Sequence, residues 1–242
     1  VNTLNLLQVM QAHGVKRFVF SSTCAVYGEP EELPIVETLP KTPINPYGST
    51  KLAVETMLAH SATAWGLGSV ALRYFNAAGA AADGSIGEDH DPEIHLIPLV
   101  LQVALGQREN IKVFGTDYPT PDGTCIRDYV HVEDLAEAHR LAVQACQPDH
   151  AEAFNVGTGR GNSVLEIIAT AREVTGHAIP LVTTPRRPGD PPELVAQAMA
   201  IRSRFAWQPK YTDIGRTIET AWNWHRSHPD GYVKSVSRAP RT

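Results

Sequence analysis

The sequence predicts an α/β protein: part of a doubly wound parallel sheet with a smaller second α/β lobe. Three observations carry this. Short, dense apolar runs alternate with segments of helical periodicity. The runs lack polar alternation, as strands buried on both faces do. Past residue 76 the alternation becomes irregular, and long loops rich in Gly, Pro and Asp appear, as in a second lobe closing over a sheet.

In chain order, Leu4, Leu6, Leu7 and Met10 recur at helical spacing up to Gly14. Residues 17–21 read as a buried strand, and 29–45 as a loop rich in Pro and Glu. Pro46 stands where helices begin, because its missing N–H costs nothing there, and Gly66 ends that helix. Residues 69–74 form the next strand, followed by a long loop to Pro92 and a helix near 97–105. A strand at 111–114, a turn-rich loop at 117–123 and extended Tyr129 and Val130 come next. A helix at 133–145, a strand at 154–156 and a helix at 163–174 follow. The Pro-rich stretch 180–192 connects to helical segments near Val195 and at 214–225. Residues 1–76 are assigned to the main sheet and 77–242 mainly to the second lobe, with about 125–165 returning to the first.

Bulk properties narrow the partners. The 242 residues are 43% hydrophobic and 19% charged, with net charge −5 and no long basic cluster. This argues against nucleic acid or a membrane surface as partner. No apolar run approaches the roughly 18 residues that span a bilayer. The start, Val1-Asn2-Thr3-Leu4, has no basic region or cleavage pattern, so no signal peptide is expected. Cys24, Cys125 and Cys146 are odd in number and far apart, which fits a reducing compartment, the cytoplasm by default.

Tyr47 and Lys51 are four apart on a predicted helix and share a face. A tyrosine with a free pKa of about 10 is a poor base at neutral pH, and a neighbouring ammonium lowers that value. The pair can therefore make an oxygen that exchanges protons with a hydroxyl. By spacing alone, a pair on a solvated helix face is an equal alternative. Ser21-Ser22-Thr23 ends the first strand, at the edge where doubly wound sheets bind ligands. Thr23 is also suited to a turn or cap.

Four motifs follow one another: Phe20-Ser-Ser-Thr-Cys-Ala-Val-Tyr-Gly28, Asn45-Pro-Tyr-Gly-Ser-Thr-Lys51, Leu72-Arg-Tyr-Phe-Asn-Ala-Ala-Gly79 and Arg127-Asp-Tyr-Val-His-Val-Glu-Asp134. In these the sequence resembles the extended short-chain dehydrogenase/reductases, and among them the UDP-glucose 4-epimerases, from residue 1 to about 225. The resemblance implies a partial Rossmann-like sheet, bound NAD, a UDP-hexose substrate held by the smaller lobe, and a homodimer. It implies that Thr23 bonds the sugar C4 oxygen, that Tyr47 is base and acid, and that Lys51 holds the nicotinamide ribose. Ser21, Ser22, Tyr74 and Phe75 would lie along the cofactor. Asn76, His95 and Leu96 would face the substrate, Val113 and Phe114 the uracil, Arg127 and Arg187 the phosphates, and Asp190 the uridine ribose. Two arginines suit this, because a guanidinium fork matches phosphate oxygens. Leu194 falls where the family borders its sugar pocket, which predicts UDP-glucose and UDP-galactose as the main pair.

A Gly-rich pyrophosphate turn after a first strand, also implied by the family, does not occur in this sequence. About the first hundred family residues are expected to be absent, and these 242 residues alone are expected to be inactive and to lose NAD. A 4,6-dehydratase is the first rival, but Cys24 and Ala25 stand where that chemistry needs an acid and a base. A non-catalytic remnant is the second. Gly157-Thr-Gly-Arg-Gly161 lacks a glycine at the sixth position and an acidic residue at the following strand end, so it reads as a helix-entry turn. Glu88, Asp89, His90, Asp91, Glu93 and His95 lack fixed ligand spacing and read as a solvated loop, with no metal expected.

Overall fold

The computed structural model describes residues 2–232. Residues 233–242, assigned above to the second lobe, lie outside the described residues. In chain order the elements are α1 (Asn2–Ala12), β1 (Arg17–Thr23), a 3-10 turn (Cys24–Tyr27), α2 (Pro46–Trp65), β2 (Gly68–Tyr74), β3 (Asn76–Ala78) and α3 (Leu96–Ala104). There follow β4 (Ile111–Phe114), β5 (Ile126–His131), α4 (Val132–Ala145), β6 (Ala151–Val156), β7 (Gly161–Ser163) and α5 (Val164–Thr175). The last are β8 (Leu181–Thr184), β9 (Glu193–Leu194), α6 (Met199–Phe205) and α7 (Ile214–Ser227).

The main sheet is parallel, in the order β1-β2-β6. Alternation along β1 sends Phe18 and Phe20 to one face, where they pack with Leu7, Met10, Leu58 and Leu67 from α1, α2 and the turn before β2. On the other face Val70, Leu72 and Phe154 meet Leu135, Ala138 and Ala142 of α4 and Ile201 and Phe205 of α6. Trp207 is fully buried there and donates from Nε1 to the Asp134 carbonyl at 2.9 Å. Covered on both sides, β2 is buried nearly throughout. Among the described residues no strand pairs with the outer edge of β1.

α2, which carries the Tyr–Lys pair, has its limits written in sequence. The Asn45 side chain accepts from Gly48 N, Pro46 occupies the first position, and Gly66 ends the helix at φ 76°.

The second lobe is organised around β5, which pairs with β3 and β9 in parallel and with β7 antiparallel. β4 and β8 form a separate parallel pair. α3, α5 and α7 enclose Ile97, Val100, Leu101, Ile167, Ile168, Ile218 and Trp222. Ser163 begins α5 with a capping box shared with Glu166.

One expectation is corrected. The segment near Val195 is extended rather than helical, and the helix begins at Met199. The reason is tertiary: Ile35 N donates to Val195 O and Gln197 N to Ile35 O, each at 2.8 Å, so distant partners take the groups a helix would have paired. α4 and β6, within the expected stretch 125–165, pack on or join the main sheet, and α6 packs beside them.

Candidate active site

Thr23 ends β1 and caps the 3-10 turn after it, its Oγ1 accepting from Ala25 N at 3.1 Å. This fixes a hydroxyl at the carboxyl edge of the sheet. Tyr47, the second residue of α2, is 54% exposed. Burial raises the Tyr47 pKa, the Thr23 hydroxyl bonding it works the other way, and Tyr74 and Cys24 raise it further. The structure therefore brings Thr23 and Tyr47 together.

Lys51 differs from expectation. Its Nζ donates to the Ser21 carbonyl at 2.8 Å and lies 5.0 Å from the Phe20 ring centroid and 5.6 Å from that of Tyr47. Burial lowers its pKa. The expected lowering of Tyr47 by this ammonium is not found, because the strand carbonyl engages it and burial governs the phenol.

Of the four residues expected along the cofactor, Ser21 and Tyr74 are partly exposed at the strand ends. The Ser21 hydroxyl bonds His139 Nε2 at 2.9 Å, and the His139 ring lies 6.3 Å from that of Tyr74. Ser22 is fully buried and donates to Glu55 Oε1 at 2.6 Å, so its side chain does not present itself to a ligand. Phe75 is likewise buried, among Cys24, Val26, Tyr27, Ile35 and Leu194. Both side chains support the site from beneath.

Sequence reasoning missed what Ser22 joins. Arg73 donates to both Glu55 oxygens, from Nε at 3.0 and 3.2 Å and from Nη2 at 2.6 Å, and from Nη1 to Tyr27 OH at 2.9 Å. Tyr27 donates to Asn155 Oδ1 at 2.7 Å. This network ties α2 to β1, β2 and β6 directly behind the catalytic candidates. Glu55 at four residues past Lys51 was the available signal.

In the second lobe, Arg127 and Asp190 form an ion pair, and Arg127 Nη1 donates to the Ile126 carbonyl at 2.8 Å. The Arg187 guanidinium stacks over Phe114. Leu194 is the register partner of Arg127. Arg127 also reaches the first lobe: burial pushes the Cys24 thiol up to about 12, and the charge of Arg127 opposes this. Asn76 is partly exposed on β3, His95 is the exposed N-cap of α3, and Leu96 is its partly buried first residue. Val113 is the exception. It is buried in the second core beside Ile111 and Leu101, so its side chain packs inward.

The turn at Gly157 cradles an anion, but an internal one. The carboxylate of Asp128, fully buried, accepts from Thr158 N and Gly159 N at 2.9 Å, from Thr158 Oγ1 at 2.7 Å and from Ala196 N at 3.2 Å. A Cβ on Gly157 would stand 2.5 Å from Asp128 Oδ2, so only glycine fits. The loop before α3 draws His90, Glu93 and His95 together, with ligand atoms within 4.8 Å of one another.

A parallel sheet with Thr23, Tyr47 and Lys51 at its carboxyl edge defines a class, the nucleotide-dependent enzymes that move protons and hydride at a hydroxyl carbon. The donor set, an ammonium, two hydroxyls and an aromatic ring, fits the nicotinamide end of a dinucleotide. The chain belongs to the NAD dependent epimerase/dehydratase family, which matches residues 1–157. It is 54% identical to UDP-glucose 4-epimerase of Halalkalibacterium halodurans, over 96% of this chain and 70% of that protein. It is 53% identical to UDP-glucose 4-epimerase of Lacticaseibacillus casei, over 95% and 70%. The structure of UDP-glucose 4-epimerase from Bifidobacterium longum in complex with NAD+ and UDP superposes with TM-score 0.91 at 41% identity, over 95% of this chain and 69% of that one.

Proposed function

We propose that this chain interconverts UDP-glucose and UDP-galactose by NAD-dependent 4-epimerisation through a 4-keto sugar. The observation that carries this is the meeting of the Thr23 and Tyr47 hydroxyls beside Lys51, in a chain half identical to UDP-glucose 4-epimerases. When bound, NAD supplies the hydride acceptor and donor for the sugar C4. Tyr47 takes the 4-hydroxyl proton and returns it, and Thr23 orients that oxygen. Lys51 holds the nicotinamide ribose and places positive charge beside Tyr47. Arg127 and Arg187 hold the diphosphate, Asp190 the ribose, and Phe114 the uracil. Asn76, His95 and Leu96 line the passage between the two ends. A firm grip on UDP with a loose grip on the sugar lets the 4-keto group present either face.

The 4,6-dehydratase reading is disfavoured, because the Cys24 thiol is buried with its pKa near 12 and Ala25 has no titratable group. The proposal extends to a homodimer, since Leu4, Leu6 and Val9 leave apolar surface exposed on α1, and to a cytoplasmic setting for three free cysteines. Among the described residues no helix is long and apolar enough to cross a membrane.

The test is UDP-galactose conversion with added NAD, by these 242 residues and by a chain that also carries a Gly-rich strand–turn–helix unit. Conversion lost in Tyr47→Phe supports the reading. Absence of conversion in both chains overturns it.

A further inference from the structure

We propose, resting on the epimerase reading above, that Asp128 is a positioning residue for the choice of sugar: its carboxylate fixes the backbone that carries Leu194, and so sets the width of the sugar pocket. Asp128 is fully buried. Among the described residues its partners are N–H and O–H donors, and no cation pairs with it. Burial raises its pKa, and the hydrogen bonds from Thr158, Gly159 and Ala196 work against that. A carboxylate taken out of water without a counter-charge is costly, and an apolar group of similar shape would serve stability as well. What the carboxylate supplies in so small a side chain is acceptor capacity on every side.

That capacity is divided between two segments. Oδ1 accepts from Thr158 N at 2.9 Å and from Thr158 Oγ1 at 2.7 Å. Oδ2 accepts from Gly159 N at 2.9 Å and from Ala196 N at 3.2 Å. One side chain thus joins the turn after β6, a strand of the main sheet, to the segment after β9 in the second lobe. Backbone pairing of β9 with β5 ends where Leu194 lies opposite Arg127. Beyond that point the chain leaves β5: Val195 O and Gln197 N turn to Ile35, and Ala196 N turns to Asp128. The packing there leaves no slack. A Cβ on Gly157 would stand 2.4 Å from the Ala196 Cβ, so the turn lies directly on Ala196. Leu194, two residues back, packs with Cys24, Ile35 and Phe75. Loss of the Oδ2 bond frees Ala196 N, and the play gained there passes to Leu194. Asparagine does not reproduce the clamp, because one arm of its amide is a donor and would face N–H groups that also donate.

The experiment has two readouts and three variants. The variants are Asp128→Asn, the milder Thr158→Val, which removes one donor to Oδ1, and Ile168→Val, which loosens the second core away from the turn. The first readout is amide hydrogen exchange of the 242 residues without nucleotide. Asp128→Asn is expected to speed exchange at residues 194–197 about tenfold or more relative to α3, and Thr158→Val to act in the same direction. Ile168→Val should favour no such segment. The second readout is kcat/KM for UDP-galactose and for its N-acetylated analogue, in the chain that also carries the Gly-rich strand–turn–helix unit. The ratio of N-acetylated to plain sugar should rise about threefold or more in Asp128→Asn. It should stay at the parent value in Ile168→Val, since loss of folded protein lowers both rates alike. Thr158→Val decides if Asp128→Asn does not fold. Unchanged exchange at 194–197, or an unchanged sugar ratio, in both the Asp128 and Thr158 variants overturns the proposal alone. A parent that converts neither sugar overturns the epimerase reading and the proposal with it.

Discussion

The guanidinium of Arg187 lies 3.8 Å from the centre of the Phe114 ring. A flat, delocalised cation thus occupies the face on which a flat base is proposed to stack. Arg187→Ala is expected to raise the KM for UDP-galactose about tenfold with a smaller change in kcat, since diphosphate binding is shared by ground and transition states. Phe114→Ala should weaken UDP binding too. The double variant should weaken it by less than the two effects combined, because each residue covers the other. Additive losses would separate the two roles.

Tyr47→Phe is expected to lower kcat about 100-fold or more, with UDP affinity by calorimetry within about twofold of the parent. Burial raises the Tyr47 pKa and lowers that of Lys51. The active phenolate is therefore scarce at neutral pH, and the rate should climb on the alkaline side until Tyr47 is ionised or Lys51 is neutral. A flat pH–rate profile would contradict proton transfer at Tyr47.

The Arg73–Glu55 pair is 5% and 9% exposed, so removing either partner leaves a buried charge alone. Glu55→Gln or Arg73→Met is expected to cost about 3–5 kcal/mol in urea denaturation. Glu55→Leu combined with Arg73→Met should lose less than either single variant, because no charge is left stranded. Losses that simply add would show that the pair is not coupled.

Alkaline conditions should destabilise the fold. Cys24 is pushed from 9.0 to about 12 by burial, and Tyr27 from 10.0 to about 12, also mainly by burial. Both groups hold their protons in the folded state after the unfolded chain has released them. Their contribution is complete below pH 9 and is lost as pH rises toward 12, with a slope of about 1.4 kcal/mol per pH unit for each proton. Cys24→Ala should flatten the first part of that fall in denaturation midpoints between pH 8 and pH 10.

Leu194 is 9% exposed and packs with Phe75 in the cluster beneath Thr23. UDP-glucose and UDP-galactose are the expected main pair, with weak turnover of their N-acetylated analogues. Leu194→Ala, which makes room, should raise kcat/KM for the N-acetylated pair about tenfold relative to the plain pair. An unchanged ratio would remove Leu194 from the pocket wall.

What the sequence disclosed was what neighbours in sequence decide. Asn45, Pro46 and Gly66 frame α2, and the Phe20–Gly28 and Asn45–Lys51 motifs announced Thr23, Tyr47 and Lys51. What it hid depended on partners far along the chain. Val113 sits on a strand whose inward face is chosen by packing against α3 and α5. Ser22 lost its surface role to Glu55, and the backbone of 193–197 took Ile35 and Asp128 as partners in place of a helix. The histidine and glutamate cluster has no sequence period, because a loop that turns back on itself makes it.

β5 is hydrogen-bonded on one side or the other to three different strands, and Arg127 rises from its first stretch of pairing, between β7 and β9. Arg187, by contrast, projects from the exposed connection between β8 and β9. The two proposed phosphate ligands therefore have different mechanical footing. Departure of the nucleotide should begin at Arg187, whose anchorage yields, while the braced arm of Arg127 still holds. The residence time of the product is then set by how often the first contact reopens before the second lets go. Changes that stiffen residues 185–190 should lengthen that residence with little effect on the rate of arrival.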